Sequence, residues 1–311
     1  MENFLLFIGI LIAIKFLLFC KRRLKKFNLS GKHIMITGAS SGLGKELARE
    51  CYYKGARLTL ISRNKLALDS LLKELEPSSR KSDYGNFVQI YNTDLSKNDK
   101  FEEIVKSAES RFGGVELFVS CAGHIEVGSF LTSKQEDFRE QMENNYMSLV
   151  NSLLPVAKEM CQRKKGRICI VSAAQVYMPV EGNSAWLASK AAVHAFANCI
   201  RPELNRNKVH LSIFAPGAID TEGWEKVASK KQKYLLDIEG KPLSVEKACT
   251  ELLRGISACD LYITTNPIFR FIRICSLGAA ERGNSIIDIL LSPFAMLTCC
   301  GVAKYINFKS R

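Results

Sequence analysis

The eleven cysteines of this 311-residue chain include no C-x-x-C pair, and its four histidines are equally scattered. With no ligands at metal spacing, no metal site is expected. Irregular spacing in a chain this long also speaks against a disulfide framework. Reduced, mostly buried thiols suit a domain that faces the cytosol. A basic stripe interleaved with aromatics is missing too. The net charge is +13, but five of the positives, Lys21, Arg22, Arg23, Lys25 and Lys26, fall in one six-residue run. That pattern points away from nucleic acid and toward an anionic membrane surface.

What the chain does have begins with an apolar run. Asn3 to Cys20 reads NFLLFIGILIAIKFLLFC, a helix of about 27 Å, just short of a ~30 Å hydrocarbon core. Lys15 lies near enough to one end to snorkel. A cleavable leader carries its positive charge before the apolar stretch, and here the order is reversed. With KRRLKK on the cytoplasmic side, the N-terminus crosses the membrane and the main domain lies in the cytosol. Residues 1–27 are therefore expected to form a membrane anchor with a basic flank.

From Lys32 the pattern alternates. Strands are predicted at His33–Thr37, Arg57–Ser62, Phe87–Tyr91, Val115–Ser120, Arg167–Ser172 and Val209–Phe214. Helices are predicted at Gly42–Lys54, Lys65–Glu76, Lys100–Phe112, Phe138–Arg163 and Ser184–Asn205, with one polar loop at Pro77–Asn86. Such alternation implies an α/β fold, a parallel sheet with helices on both faces. This domain is expected over 28–260. The tail, 261–311, is apolar but broken by Pro267, Arg270, Arg273, Gly283, Asp288 and Pro293. A lid, a hairpin dipping into a membrane, and ordinary helices closing the sheet all fit it.

The turn between the first strand and the first helix reads Thr37-Gly-Ala-Ser-Ser-Gly-Leu-Gly44. Its glycines, Gly38, Gly42 and Gly44, let backbone approach a pyrophosphate. The helix N-terminus after Ser40 and Ser41 offers unpaired N–H groups to it. This placement makes the fold a Rossmann-type, doubly wound dinucleotide-binding domain. An NAD-binding chain favours a carboxylate at the end of the second strand, about 20 residues on. Here that position reads Leu60-Ile61-Ser62-Arg63-Asn64, with no acid. Arg63 can instead pair with a 2′-phosphate, so NADP(H) is the expected cofactor.

These residues resemble the short-chain dehydrogenase/reductase family. The turn matches its T-G-x-x-x-G-x-G, and Asp94 in NTDLS matches the acid that contacts adenine. Ser120-Cys-Ala-Gly123 matches N-x-A-G with Ser for Asn. Asn145 resembles the family's helix asparagine, and Pro216-Gly217 with Thr221 its loop over the nicotinamide. The stretches SGLGKELARECYYKGARLTLISRN, SCAGHIEVGSF and GAIDTEG, with the anchor and apolar tail, are most similar to one branch. Those members reduce the 3-ketone of a long-chain sphingoid base with NADPH at the endoplasmic reticulum membrane. The resemblance thus implies a long-chain lipid substrate, that membrane, and a homodimer through the helices carrying Asn145 and Lys190.

The resemblance also implies hydride transfer, with a tyrosine proton donor four residues before a lysine and a serine on the carbonyl. Lys190 is in place, but Trp186 stands at the tyrosine position. Thirteen residues back, the serine position falls on Ala173, with Ser172 beside it. A one-residue slip in the following loop brings Ser172 in; an unslipped strand turns its hydroxyl to the other face. Tyr177 or water is left as a proton source. Two readings stand: a ketone reductase with rerouted proton delivery, and a non-catalytic cofactor- or lipid-binding protein.

Overall fold

The computed structural model describes residues 27–76, 87–97, 100–230, 236, 240–276 and 285–309. The expected anchor with its basic run and the loop at 77–86 lie outside the described residues. Among the described residues no helix is long and apolar enough to cross a membrane.

Seven parallel strands form one sheet: β1 (His33–Thr37), β2 (Arg57–Ser62), β3 (Val88–Asn92), β4 (Leu117–Ser120), β5 (Gly166–Val171), β6 (Val209–Phe214) and β7 (Tyr262–Ile263). Their order is β3-β2-β1-β4-β5-β6-β7. The chain winds outward in one direction from β1 to β3, then returns to lay β4 on the other side of β1. Loops diverge at that reversal, which opens a crevice at the carboxyl ends of β1 and β4.

The strands read as apolar runs because both faces are covered. Alternation sends Ile34 and Ile36 of β1, with Leu117 and Val119 of β4, into one core. Met35, Phe118, Ile168 and Ile170 enter the other. The first core packs under α1 (Gly42–Tyr53), α2 (Lys65–Leu75) and α8 (Val245–Ala258). The second packs under α3 (Phe101–Phe112), α5 (Ser148–Gln162) and α6 (Ser184–Arg206). Each side chain buried this way stabilises by roughly 1.5–3 kcal/mol. All cysteines among the described residues are free. Cys51, Cys169 and Cys249 lie in the core; Cys199, Cys275 and Cys300 are exposed. Burial pushes the Cys51 thiol up to about 12 and that of Cys169 well above its ordinary range.

Three departures from the sequence pattern bear on function. The single helix expected over Phe138–Arg163 is instead α4 (Gln135–Gln141), a π-helical segment at Met142–Met147, and then α5. The widened turn carries Asn145 to a buried position. Second, β7 lies just past residue 260 and pairs with β6, so the sheet reaches into the expected tail. Third, the tail divides. α9 (Pro267–Ser276) packs Phe269 and Ile272 on Ala174, Tyr177, Met178 and Ala215. α10 (Ser285–Lys309) leaves Leu290, Phe294, Met296 and Leu297 exposed. Arg273 of α9 and Asp288 of α10 form a buried ion pair at 3.4 Å.

Candidate active site

The turn from β1 into α1 is closed so tightly that side chains would not fit. At Gly38, with φ +68°, an added Cβ would lie 2.6 Å from the backbone nitrogen of Ala122; at Gly44 it would lie 2.3 Å from the carbonyl oxygen of Gly38. Gly42 has φ +50°, a conformation that side chains disfavour. Ser41 caps α1 in extended conformation without a side-chain cap bond. The first-turn N–H groups are thereby left to an anion. Ser40 Oγ is hydrogen-bonded to Ser62 Oγ at 2.7 Å, tying the turn to the end of β2. A backbone cradle, an open helix N-terminus and adjacent hydroxyls fit a dinucleotide pyrophosphate.

The cleft above this turn has a volume of about 660 Å³ and runs from Arg63 and Asp94 at one end to Trp186 and Lys190 at the other. Arg63 Nη1 donates to Asn144 Oδ1 at 3.0 Å, which holds the guanidinium at the cleft edge. Asp94 accepts from the backbone N–H and the hydroxyl of Ser96, at 3.1 and 2.8 Å. Burial acts to raise this carboxyl. The Ser96 bonds, with the charges of Arg63 and Lys97, outweigh it and hold Asp94 below its usual range.

At the far end Asn145 is the organiser. Its Oδ1 accepts from the His124 N–H at 2.8 Å. Its Nδ2 donates to the His124 carbonyl at 2.9 Å and to Ser189 Oγ at 2.9 Å. The loop leaving β4 is thus clipped to α6 through one carboxamide. Ser120, the departure from N-x-A-G, is buried at the end of β4 beside Thr37. Thr37 Oγ1 accepts from the Ala122 N–H at 3.3 Å. Lys190 Nζ donates to the Val171 carbonyl at 3.2 Å and lies close above Gly123, 3.3 Å from where a Cβ would stand. Burial brings its pKa down to about 8.

Trp186, one helical turn before Lys190, is buried against Ala173 and Leu187, with Ile125 and Val176 packed around it. The methyl of Ala173 therefore faces the indole. Ser172, the neighbour, lines the cleft and donates to the Lys190 carbonyl at 3.5 Å, the outer limit of a hydrogen bond. Its backbone stays in register with β6, the Ser172 N–H donating to the Phe214 carbonyl at 2.7 Å.

Tyr177 is not among the residues that line the cleft. Its ring meets His194 edge-on at 5.2 Å, on the side covered by α9. Desolvation raises its pKa further from neutrality, so Tyr177 is not placed to serve as the proton source. Pro216, Gly217 and Thr221 all border the cleft. Thr221 caps α7 (Glu222–Ala228) by accepting from the Trp224 N–H at 3.1 Å. His124 also lines the cleft. The sequence contained it inside SCAGHIEVGSF, but with no periodic signal to mark it as facing the site. No group of three or more metal-ligating side chains occurs among the described residues.

A doubly wound parallel sheet with this cradle at its switch point defines a dinucleotide-binding α/β protein. A family model described as short chain dehydrogenase matches residues 32–232. The 3-dehydrosphinganine reductase of Danio rerio is 31% identical over 201 residues, covering 64% of this chain and 60% of that protein. The chain thus spans about 60% of the length of that relative. Dehydrogenase/reductase SDR family member 7B of Danio rerio is 32% identical over 219 residues, 69% of this chain and 68% of that one. A solved short-chain type dehydrogenase/reductase from Mycobacterium marinum superposes with a TM-score of 0.69 at 23% identity, covering 79% of this chain and 98% of the other. The chain belongs to the short-chain dehydrogenase/reductase family, whose members use a nicotinamide cofactor.

Proposed function

We propose that the chain is an NADP(H)-dependent reductase of the 3-ketone of a long-chain sphingoid base, held at the endoplasmic reticulum membrane with its main domain toward the cytosol. The observation that carries this reading is the intact cleft, in which the glycine cradle, Arg63 and Lys190 border one continuous space. The substrate class follows the named reductase relative and the sequence stretches shared with that branch. A bound nicotinamide dinucleotide supplies the hydride. Gly38, Gly42 and Gly44 would admit its pyrophosphate, Arg63 would meet a 2′-phosphate, Asp94 would take the adenine end, and Lys190 would hold the ribose. Asn145 fixes the loop between β4 and α4 on which the ketone would rest.

Trp186 supports a second reading, a non-catalytic NADP(H)- and lipid-binding protein. An indole N–H donates a hydrogen bond but releases no proton at accessible pH. The absence of a positioned acid typically lowers the rate on the order of 10²–10⁴-fold. Ala173 lacks the hydroxyl that the family sets on the carbonyl, for roughly another 10².

Oxidation of NADPH by the purified full chain with 3-ketosphinganine separates the two. The reductase reading expects slow wild-type turnover, abolished by Lys190→Ala and raised at least about tenfold by Trp186→Tyr. No turnover in either the wild type or the Trp186→Tyr variant sinks it. For the location, carbonate extraction of microsomes is expected to leave the full chain in the membrane and to release a chain that begins at residue 28.

A further inference from the structure

Trp186 and Ala173 stand where the family sets its hydroxyl groups on a ketone oxygen, Tyr177 does not line the cleft, and the Ser172 hydroxyl is turned to the Lys190 carbonyl. The titratable side chains that line the nicotinamide end of the cleft include Cys121, Lys190 and His124. Burial pushes Cys121 up to about 12, so its thiol is a poor acid. Lys190 is engaged with the Val171 carbonyl, and its ammonium is needed where it stands.

His124 occupies a telling place in the chain. Gly123 before it lies against Lys190 Nζ. Ile125 after it packs on the Trp186 cluster. Both backbone groups of His124 are clamped by the Asn145 carboxamide, at 2.8 and 2.9 Å. The residue is therefore held rigidly between the two side chains that mark the reaction end of the cleft, while its ring is 47% exposed. Its Nε2 stands 3.8 Å from Glu126 Oε2, and the other oxygen of Glu126 pairs with Lys230. A carboxylate thus backs one ring nitrogen, and among the described residues Nδ1 has no hydrogen-bond partner.

Cys121 after β4 and Lys190 on α6 border the cleft with His124, and Glu126 lies on its own loop. Glu222 and Lys226 of α7 border the same cleft, and Lys230 after α7 pairs with Glu126. Among the described residues, Glu126 is the one that pairs with the ring.

We propose that His124, backed by Glu126, protonates the substrate oxygen in this chain, in place of the tyrosine that Trp186 replaces. The inference rests on the reductase reading above. The carbonyl carbon accepts a hydride from the reduced dinucleotide, and the carbon–oxygen π pair moves onto oxygen. That oxygen takes the proton of His124 Nδ1, giving the alcohol. The neutral imidazole keeps its Nε2 proton toward Glu126 and regains the other from solvent. An orienting carboxylate behind an imidazole serves the same ends in hydrolytic triads.

The test uses the full chain with 3-ketosphinganine and NADPH. His124→Gln is expected to lower kcat about 100-fold. NADPH affinity and KM should stay within about twofold, since the ring touches neither the cradle nor Arg63. The pH profile of kcat is expected to differ between wild type and His124→Gln. Glu126→Gln is expected to give a smaller loss of rate, because the imidazole loses the carboxylate that orients it.

A binding readout accompanies these rates. The His124 ring resonances, assigned by their disappearance in His124→Gln, shift when 3-ketosphinganine is added with oxidised NADP, which cannot react. Wild-type turnover with His124→Gln unchanged in kcat and in pH profile overturns the proposal and leaves the reductase reading standing. Absence of wild-type turnover overturns both.

Discussion

Lys190 sits in the cleft at a cost to stability that a pH titration can expose. Its pKa is brought down to about 8 in the folded chain from an ordinary 10.5. Below pH 8 both folded and unfolded chains carry the proton, and the full penalty of burying the charge is present. Between about 8 and 10.5 the unfolded chain binds more protons, so stability rises with pH across that window. The shift corresponds to on the order of 3 kcal/mol, offset by about 1 for the bond to Val171. Lys190→Met is therefore expected to melt several degrees higher than wild type at pH 7, the gap closing toward pH 10 in thermal scans.

Arg63→Ala is expected to weaken NADPH roughly 10–100-fold, the worth of charge-assisted bonds to a phosphate, and to leave NADH unchanged. Equal protection of the wild-type fold by NADH and NADPH would count against Arg63 as the phosphate partner. Gly44→Ala places a methyl against the Gly38 carbonyl and should cost about 1–3 kcal/mol of stability and most cofactor binding. The glycines and Arg63 were legible in the sequence from their places after the first and second strands, whereas Asp94, Asn145 and Lys190 came with the family resemblance. His124 was not legible, since nothing in one sequence distinguishes a loop histidine aimed at a cleft from one aimed at solvent. Nor was the displacement of Tyr177, which depends on α9 closing over it from almost a hundred residues away.

At the scale of elements, α9 and α10 share a buried ion pair, Arg273–Asp288. The Arg273 guanidinium also lies over the Tyr262 ring, 4.8 Å from its centroid. Asp288→Asn leaves that guanidinium buried without a counter-charge and should cost about 3–5 kcal/mol. A loss of Tm and faster proteolysis between the two helices would be the readout. Arg273→Met with Asp288→Leu, which removes both charges at similar volume, is expected to restore most of the loss. Periodicity found five of the six long helices of the core domain and six of the seven strands. It missed α8 (Val245–Ala258), which was left without an assignment, and β7, whose two residues are too few to show a period. The break at Met142–Met147 was equally hidden, because a π-helical segment keeps the composition of the helix it interrupts.

For the molecule as a whole, cofactor and stability are one equilibrium. A ligand that binds only the folded chain adds about 2.7 kcal/mol at a hundred times its dissociation constant, or roughly 5–10 °C in Tm for a domain of this size. The thiols distributed through the fold turn that equilibrium into a clock. Cys199, Cys275 and Cys300 stand in solvent and should be alkylated as fast as free peptide. Cys51 and Cys169, fully enclosed between sheet and helices, react only in molecules whose core has opened. Mass spectrometry of a timed alkylation would then read two rates from one sample. The slow rate should fall about a hundredfold at that concentration of NADPH, while the fast one stays unchanged. Cys121 would be slowed by a separate route, the bound dinucleotide standing directly in the reagent's way.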